Sequence, residues 1–194
     1  YSRILNFQLA NKALPNYATI GPWPAIIDTM TNKGTTITPT TPTNTVPANL
    51  QPTKNCQSTD YRITADVAAI TSGITDPYAK AVALYNWLHT HENYSFYNNS
   101  QKGAVGTLCS GYGNCCDLSN LMVAFARAAG IPARYGHGYC HFSSNWYGHV
   151  WAQLYINGQW VNADLSSNRN SFGVIRNWNT NTYTLYGYLT ELTF

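Results

Sequence analysis

The hydrophobic period of the chain changes once, sharply, and that change restricts the folds open to it. Between Asn114 and Gly130 the apolar residues Leu118, Leu121, Met122, Phe125 and Ala129 recur at helical spacing. Gly130 stands where a left-handed C-terminal cap belongs, so the spacing predicts a helix from near Asn114 to Gly130. After Ile131-Pro132 the period falls to two. Strands are expected at about 133–142, 148–157 and 159–164, the last two joined by Asn157-Gly158, the strongest short hairpin signal. Upstream, Asp76-Pro77 places a capping carboxylate before a proline at the first helical position. Tyr78, Val82, Tyr85 and Leu88 then carry a helix to about His91. Two helices followed by an antiparallel meander make an α+β architecture with a helix packed on a sheet.

Residues 55–194 hold this pattern and read as one globular domain. Residues 31–54 contain nine Thr and four Pro and read as a linker. Proline lacks the N–H donor and Thr is stiff at χ1, so no helix is expected there. Residues 1–30, with Ile4, Leu5, Phe7 and Leu9 leading into Leu14-Pro15-Asn16-Tyr17, are too short to fold alone. The chain opens on Tyr1 and shows no secretory leader, so it reads as part of a longer protein. No run of 18 apolar residues is present, and no membrane span is expected.

Only 10% of the 194 residues are charged, so neutral polar groups must cover the surface, as suits an extracellular or wall-associated protein. The net charge of +3 is scattered, without the basic stripe that nucleic acid requires. A monomer is expected. Five cysteines leave at least one unpaired, and no CxxC pair suggests a zinc ribbon or a thioredoxin-like centre. His137, Cys140 and His141 raise the question of zinc. Four residues along a strand span ~13 Å, however, and Cys140 points to the opposite face, so no metal site is expected.

Gly113-Asn114-Cys115-Cys116-Asp117 opens the second helix. A thiol there feels the positive end of the helix, which favours thiolate, and the free N–H groups of the first turn can hold an oxyanion. Neighbouring helical positions are rotated by about 100°, so only one of the two cysteines can face a partner. Gly148-His149-Val150-Trp151 begins a strand, and the Asn157-Gly158 turn returns Asp164 to a position opposite residue 151, within diagonal reach of His149. A carboxylate that orients an imidazole beside a thiol is the arrangement of a Cys-His-Asp triad. Cys115, His149 and Asp164 are therefore the candidate catalytic residues. Asn98, Asn99 and Tyr112 precede the helix and are candidates for a side-chain oxyanion donor. Trp146 and Tyr147, beside His149, are candidates for lining a substrate groove.

Two blocks, GNCCDLSNLMVAFARAAGIPAR (Gly113 to Arg134) and GHVWAQLYINGQWVNAD (Gly148 to Asp164), resemble the transglutaminase-like cysteine peptidase superfamily over roughly residues 75 to 165. The family pattern has a G-x-C helix start, a downstream R-x-x-G-I-P-A-R, then a strand His and a strand Asp. It maps its nucleophile onto Cys115, twelve positions before Arg127, its His onto His149 and its Asp onto Asp164. The resemblance implies a papain-like core with the Cys at the N-terminus of a helix packed on an antiparallel β-sheet. Cys116 stands where many members carry an acidic or apolar residue. Arg3-Ile4-Leu5-Asn6-Phe7 with Leu14-Pro15-Asn16-Tyr17 resembles the end of a pseudomurein-binding repeat. Joined to such a domain, it is similar to the pseudomurein endoisopeptidases of archaeal viruses and methanogens, which cut an Ala–ε-Lys isopeptide crosslink. That resemblance implies a cell-wall peptide substrate, a lytic role at the wall and no required cofactor, with a divalent-cation requirement left open. Acyl transfer to an amine and a non-catalytic wall-binding domain are the alternatives from other classes.

Overall fold

The computed structural model describes residues 47–98, 102–143 and 145–194. The repeat-like residues 1–30, most of the linker and the candidate Asn99 lie outside the described residues. Helix α1 (Tyr61–Ile70) starts where the Asp60 carboxylate accepts from the Arg62 N–H at 3.0 Å, and it buries Ile63, Val67 and Ile70 at helical spacing. Helix α2 (Pro77–His91) is capped by Asp76, which accepts from the Ala79 N–H at 2.7 Å. A two-residue strand β1 (Asn93–Tyr94), helix α3 (Gly103–Ser110) and strand β2 (Tyr112–Gly113) follow, with β1 and β2 paired in parallel. Helix α4 (Cys115–Ala128) is capped by the Asn114 side chain, which accepts from the Asp117 N–H at 2.9 Å. Strands β3 (Ala133–Phe142), β4 (Trp146–Ile156), β5 (Gln159–Ala163) and β6 (Trp178–Leu189) form an antiparallel sheet in the order β5-β4-β3-β6.

Helix α4 is the centre of the molecule, buried at every residue from Asp117 to Arg127. It is wrapped on both sides: β4 packs against it, and so do α1, α2 and α3. Leu118, Leu121, Met122 and Phe125 meet Val150, Ala152 and Leu154 in the main core, and each such side chain contributes about 2 kcal/mol by burial. A second, smaller cluster holds Cys140, Trp151 and Trp178. It occupies the other face of the sheet, because Trp151 alternates with Val150 and Ala152 along β4. Gly136 is required there, since a Cβ at that position would collide with the Trp151 indole on the paired strand.

The hairpin falls where Asn157-Gly158 places it. Both turn residues have positive φ, 52° and 81°, as a two-residue type I′ turn demands. Helices α1 and α3 and strand β6 stand beyond the elements that periodicity indicated, and β4 begins before residue 148. The folded unit also extends before residue 55. Residues 48–50 form a 3-10 turn, and the Gln51 carbonyl accepts from the Arg127 guanidinium at 2.5 Å. The same guanidinium donates to the Ala133 and Thr190 carbonyls at 2.9 and 2.7 Å. A single buried cation thus ties together the start of the domain, the end of α4, the start of β3 and the C-terminal segment.

Candidate active site

Cys115 occupies the first position of α4, so its backbone N–H has no acceptor within the helix and is free to donate outward. The approach to that position is fixed by Tyr97. Its hydroxyl donates to Asp117 Oδ2 and accepts from the Asn114 N–H at 3.0 Å, and its carbonyl accepts from Asn114 Nδ2 at 3.1 Å. Asp117 Oδ1 accepts from the Gly103 N–H at 3.1 Å and so anchors the start of α3 to the same turn. Gly113 fits because a Cβ would come within 3.0 Å of Asp117 Cβ and Thr107 Cγ2. The helix N-terminus is thus clamped from three directions.

His149 and Asp164 come together as the hairpin register requires. Ala163 pairs with Ala152, which sets Asp164 opposite residue 151. His149 Nε2 lies 2.9 Å from Asp164 Oδ2, with both side chains buried, at 4% and 2% exposure. The carboxylate is fully engaged. Oδ2 also accepts from the Trp178 indole N–H at 3.0 Å, and Oδ1 accepts from the Ser166 N–H at 2.9 Å and its hydroxyl at 2.6 Å. Asn177 Nδ2 donates to the Ser166 hydroxyl at 3.0 Å and completes the shell. With Nε2 committed to Asp164, Nδ1 is the nitrogen left for Cys115, whose sulfur is hydrogen-bonded to His149. The Val150 backbone N–H donates to the same sulfur.

These partners set the charges. The Cys116 thiol donating to the Cys115 sulfur, with the His149 cation beside it, pulls the Cys115 thiol down to about 4 against the opposing effect of burial. The same hydrogen bond to Cys115, with burial, pushes the Cys116 thiol far up. Burial works against the charge on His149, yet the Asp164 carboxylate and the Cys115 thiolate outweigh it and hold the imidazole up to about 10. Burial likewise opposes the charge on Asp164, but His149 keeps its carboxyl below the usual range. Both shifts run in the direction that favours the thiolate–imidazolium pair over the neutral thiol and imidazole.

A titration follows with a definite sign. The thiolate is present above its pKa, so alkylation of Cys115 by iodoacetamide should stay fast down to about pH 5 and fall only as pH drops through about 4. An ordinary thiol instead slows about tenfold per pH unit below ~8.5. Cys116→Ala removes the donated S–H and should raise the Cys115 midpoint by about one unit or more, whereas Cys116→Ser keeps a donor and the low midpoint. Peptide-resolved alkylation rates against pH supply the measurement, and a wild-type midpoint near 8 would contradict the ion pair.

Cys115 and His149 open on a cavity of about 450 Å³, the size of a small-molecule site. Its lining includes Tyr94, Phe96 and Tyr97 from the β1 segment and Phe142 and Tyr147 from β3 and β4. Of the other sequence candidates, Tyr147 is thus brought to the site. Trp146 stacks on Tyr139 and His141 outside the cavity, with ring centroids 5.5 and 4.9 Å apart. Tyr112 lies under the Lys102 ammonium and edge-on to Tyr97, and Asn98 is exposed away from the lining. Tyr94, which is not among those candidates, lines the cavity with Cys115, and its phenol is pushed up to about 12 by burial and then by the charges of Cys115, Asp164 and Cys116. Only the pairing of β1 with β2 beside Cys115 brings it there, and nothing in the local sequence marks it. His137 packs against Tyr186 and Phe194, while Cys140 is buried with Trp151 and Trp178.

Residues 65–165 match a family model described as the transglutaminase-like superfamily. No curated protein matches the chain. Among solved structures, a "putative cysteine protease" from Cytophaga hutchinsonii aligns at TM-score 0.61 with 27% identity, over 74% of this chain and 46% of that one. The periplasmic domain of TgpA from Pseudomonas aeruginosa aligns at TM-score 0.50 with 22% identity, over 61% of this chain and 45% of that one, a likeness of fold alone. The chain therefore spans less than half the length of either structure.

Proposed function

The chain belongs to the transglutaminase-like superfamily, and on that premise we propose that it is a cysteine hydrolase cleaving an amide or isopeptide bond through a thioester on Cys115. The observation that carries the reading is the continuous relay from the Cys115 sulfur through the His149 ring to Asp164, opening on one cavity. The Cys115 thiolate attacks the acyl carbonyl carbon, and the carbonyl electrons move onto oxygen. In this reading the Cys115 backbone N–H, unpaired within its helix, and the hydroxyl of Tyr94, which lines the same cavity, hold that oxyanion. His149 gives its Nδ1 proton to the leaving amine, the C–N bond breaks, and the thioester remains. The now neutral imidazole takes a proton from water, hydroxide adds to the thioester, and collapse expels the thiolate beside a restored imidazolium. Asp164 and the Trp178 indole hold the ring in the orientation that both halves need.

Within that class, the substrate we propose is the Ala–ε-Lys isopeptide crosslink of pseudomurein, cut at the wall as a lytic activity. Support comes from the resemblance of Arg3–Phe7 and Leu14–Tyr17 to a pseudomurein-binding repeat and from the low-charge surface rich in Thr, Asn and Tyr. The test is incubation with purified wall sacculi. Turbidity should fall while free ε-amines appear in step. Incorporation of a fluorescent amine at the acyl side in place of new free carboxylates, with the ε-amine still released as the leaving group, would assign acyl transfer instead, and neither signal would remove this substrate.

Tyr94→Phe deletes one hydroxyl and keeps the ring. It should lower kcat on a soluble isopeptide by roughly 10- to 100-fold with little change in KM, because the missing donor is used only when the oxyanion forms. An unchanged kcat would take Tyr94 out of the oxyanion site.

A further inference from the structure

We propose that Arg169 is a carboxylate anchor, making the enzyme selective for peptides that carry a carboxylate within a residue or two of the scissile bond. The proposal rests on the hydrolase reading above for its substrate and adds the charge of that substrate. Arg169 lines the same cavity as Cys115, and its guanidinium makes no ion pair or hydrogen bond among the described residues. No Asp or Glu lines that cavity or the adjoining one of about 310 Å³, which Arg169 and Arg176 share. The cavity thus presents an exposed planar cation at an edge shared with aromatic, serine and asparagine side chains, and such a guanidinium can take a carboxylate through two parallel hydrogen bonds.

The segment carrying Arg169 is built to hold it there. The Arg169 N–H donates to the Ser167 hydroxyl at 3.2 Å, and the Asn170 N–H donates to the Ser167 carbonyl at 3.0 Å. Asn170 Nδ2 donates to the backbone carbonyl of Asp164 at 3.2 Å, so the loop is tied to the main chain of the residue whose carboxylate orients His149. The Asn170 side-chain oxygen accepts from the Arg176 and Asn177 N–H groups at 2.8 and 3.2 Å. Arg176 donates to the Arg169 carbonyl at 3.4 Å and to the Ser171 hydroxyl at 3.0 Å, a second cation on the same loop. With its backbone held at the edge of the cavity, the Arg169 side chain can set the register of a substrate as well as attract it. An extended residue covers about 3.3 Å, so a cavity of this size spans only a residue or two.

Two arms test it. In the first, one matched pair of isopeptides carries Glu or Gln beside the scissile bond, and a second pair differs only in a free or amidated terminal carboxyl, which separates the two sources of the charge. Wild-type protein should favour a carboxylate by roughly five- to tenfold in kcat/KM, mostly through KM. Arg169→Gln should bring the members of each pair together, and Arg169→Glu should favour a Lys-bearing peptide. Equal rates for charged and neutral members of every pair would overturn the proposal while leaving the hydrolase reading intact. The second arm needs no turnover: Cys115 is alkylated with iodoacetate and with iodoacetamide. Arg169→Glu should slow the anionic reagent several-fold more than the neutral one. Equal slowing of both would mean that Arg169 acts only by stabilising the thiolate, and would also overturn the proposal.

Discussion

Cys115→Ala should reduce kcat/KM on a soluble isopeptide by at least about 10⁴-fold, while Cys116→Ser stays within about tenfold of wild type. The two thiols are neighbours, yet their surroundings differ. Cys115 lines the cavity beside His149, whereas Cys116 packs against the main core, keeps its proton and donates a hydrogen bond to the Cys115 sulfur. Removing the Cys115 sulfur removes the attacking atom, and what remains is the oxyanion donors and substrate binding. The substitution empties a partly exposed position and leaves the His149–Asp164 pair bonded, so the protein should melt close to wild type. A dead but folded Cys115→Ala beside an active Cys116→Ser is the expected pattern, and the reverse pattern would reassign the nucleophile.

Asp164→Asn should cost roughly 10²-fold or more in kcat/KM and also lower stability. The loss in a Ser-His-Asp protease for the same change is on the order of 10⁴, but a resting thiolate–imidazolium pair needs less help. The second effect comes from donor counting. Asp164 accepts from four donors, His149 and Trp178 on one oxygen and both groups of Ser166 on the other. An amide has one oxygen and one NH₂. With the NH₂ on one side the Ser166 N–H loses its acceptor, and on the other side the Trp178 indole N–H and a protonated His149 do, and each stranded group costs about 1–3 kcal/mol. A thermal melt beside the kinetics separates the two effects. Trp178→Phe keeps an aromatic ring but loses the N–H donor and part of the buried indole's volume, so its kcat/KM should fall between wild type and Asp164→Asn while its melt also drops for the lost packing. A stable Asp164→Asn with near-normal kcat/KM would leave a Cys-His dyad.

What the sequence makes legible here is local or joined by a short turn. Asp76-Pro77 and Asn114 announce helix starts through side chains that reach only three residues on. Asn157-Gly158 has the positive φ values its residue types suggest, and that one turn is enough to bring Asp164 to His149. The features that escape periodicity depend on distant partners. Strand β6, Trp178–Leu189, is rich in Thr, Tyr and Asn and largely exposed, and it becomes a strand by pairing with β3 some forty residues earlier. Helix α3 has two glycines and few large apolar residues, and its start is held by Asp117 and Asn55. Trp178 and Tyr94 reach the site through β6 and the β1–β2 pair, so neither is marked by its neighbours in the chain. Asn98, Tyr112 and Trp146 were reasonable by proximity in sequence, but the chain turns their side chains to the surface or against other rings.

The central claim is that one thiolate, on Cys115, carries every turnover. Graded alkylation with iodoacetamide, read by peptide mass for each cysteine and by residual hydrolysis of a soluble isopeptide, tests it most directly. Activity should fall in proportion to the unmodified fraction of Cys115 and extrapolate to zero when that cysteine is fully modified, whatever the state of Cys56, Cys109, Cys116 and Cys140. Hydrolysis that persists with Cys115 fully modified would contradict the account.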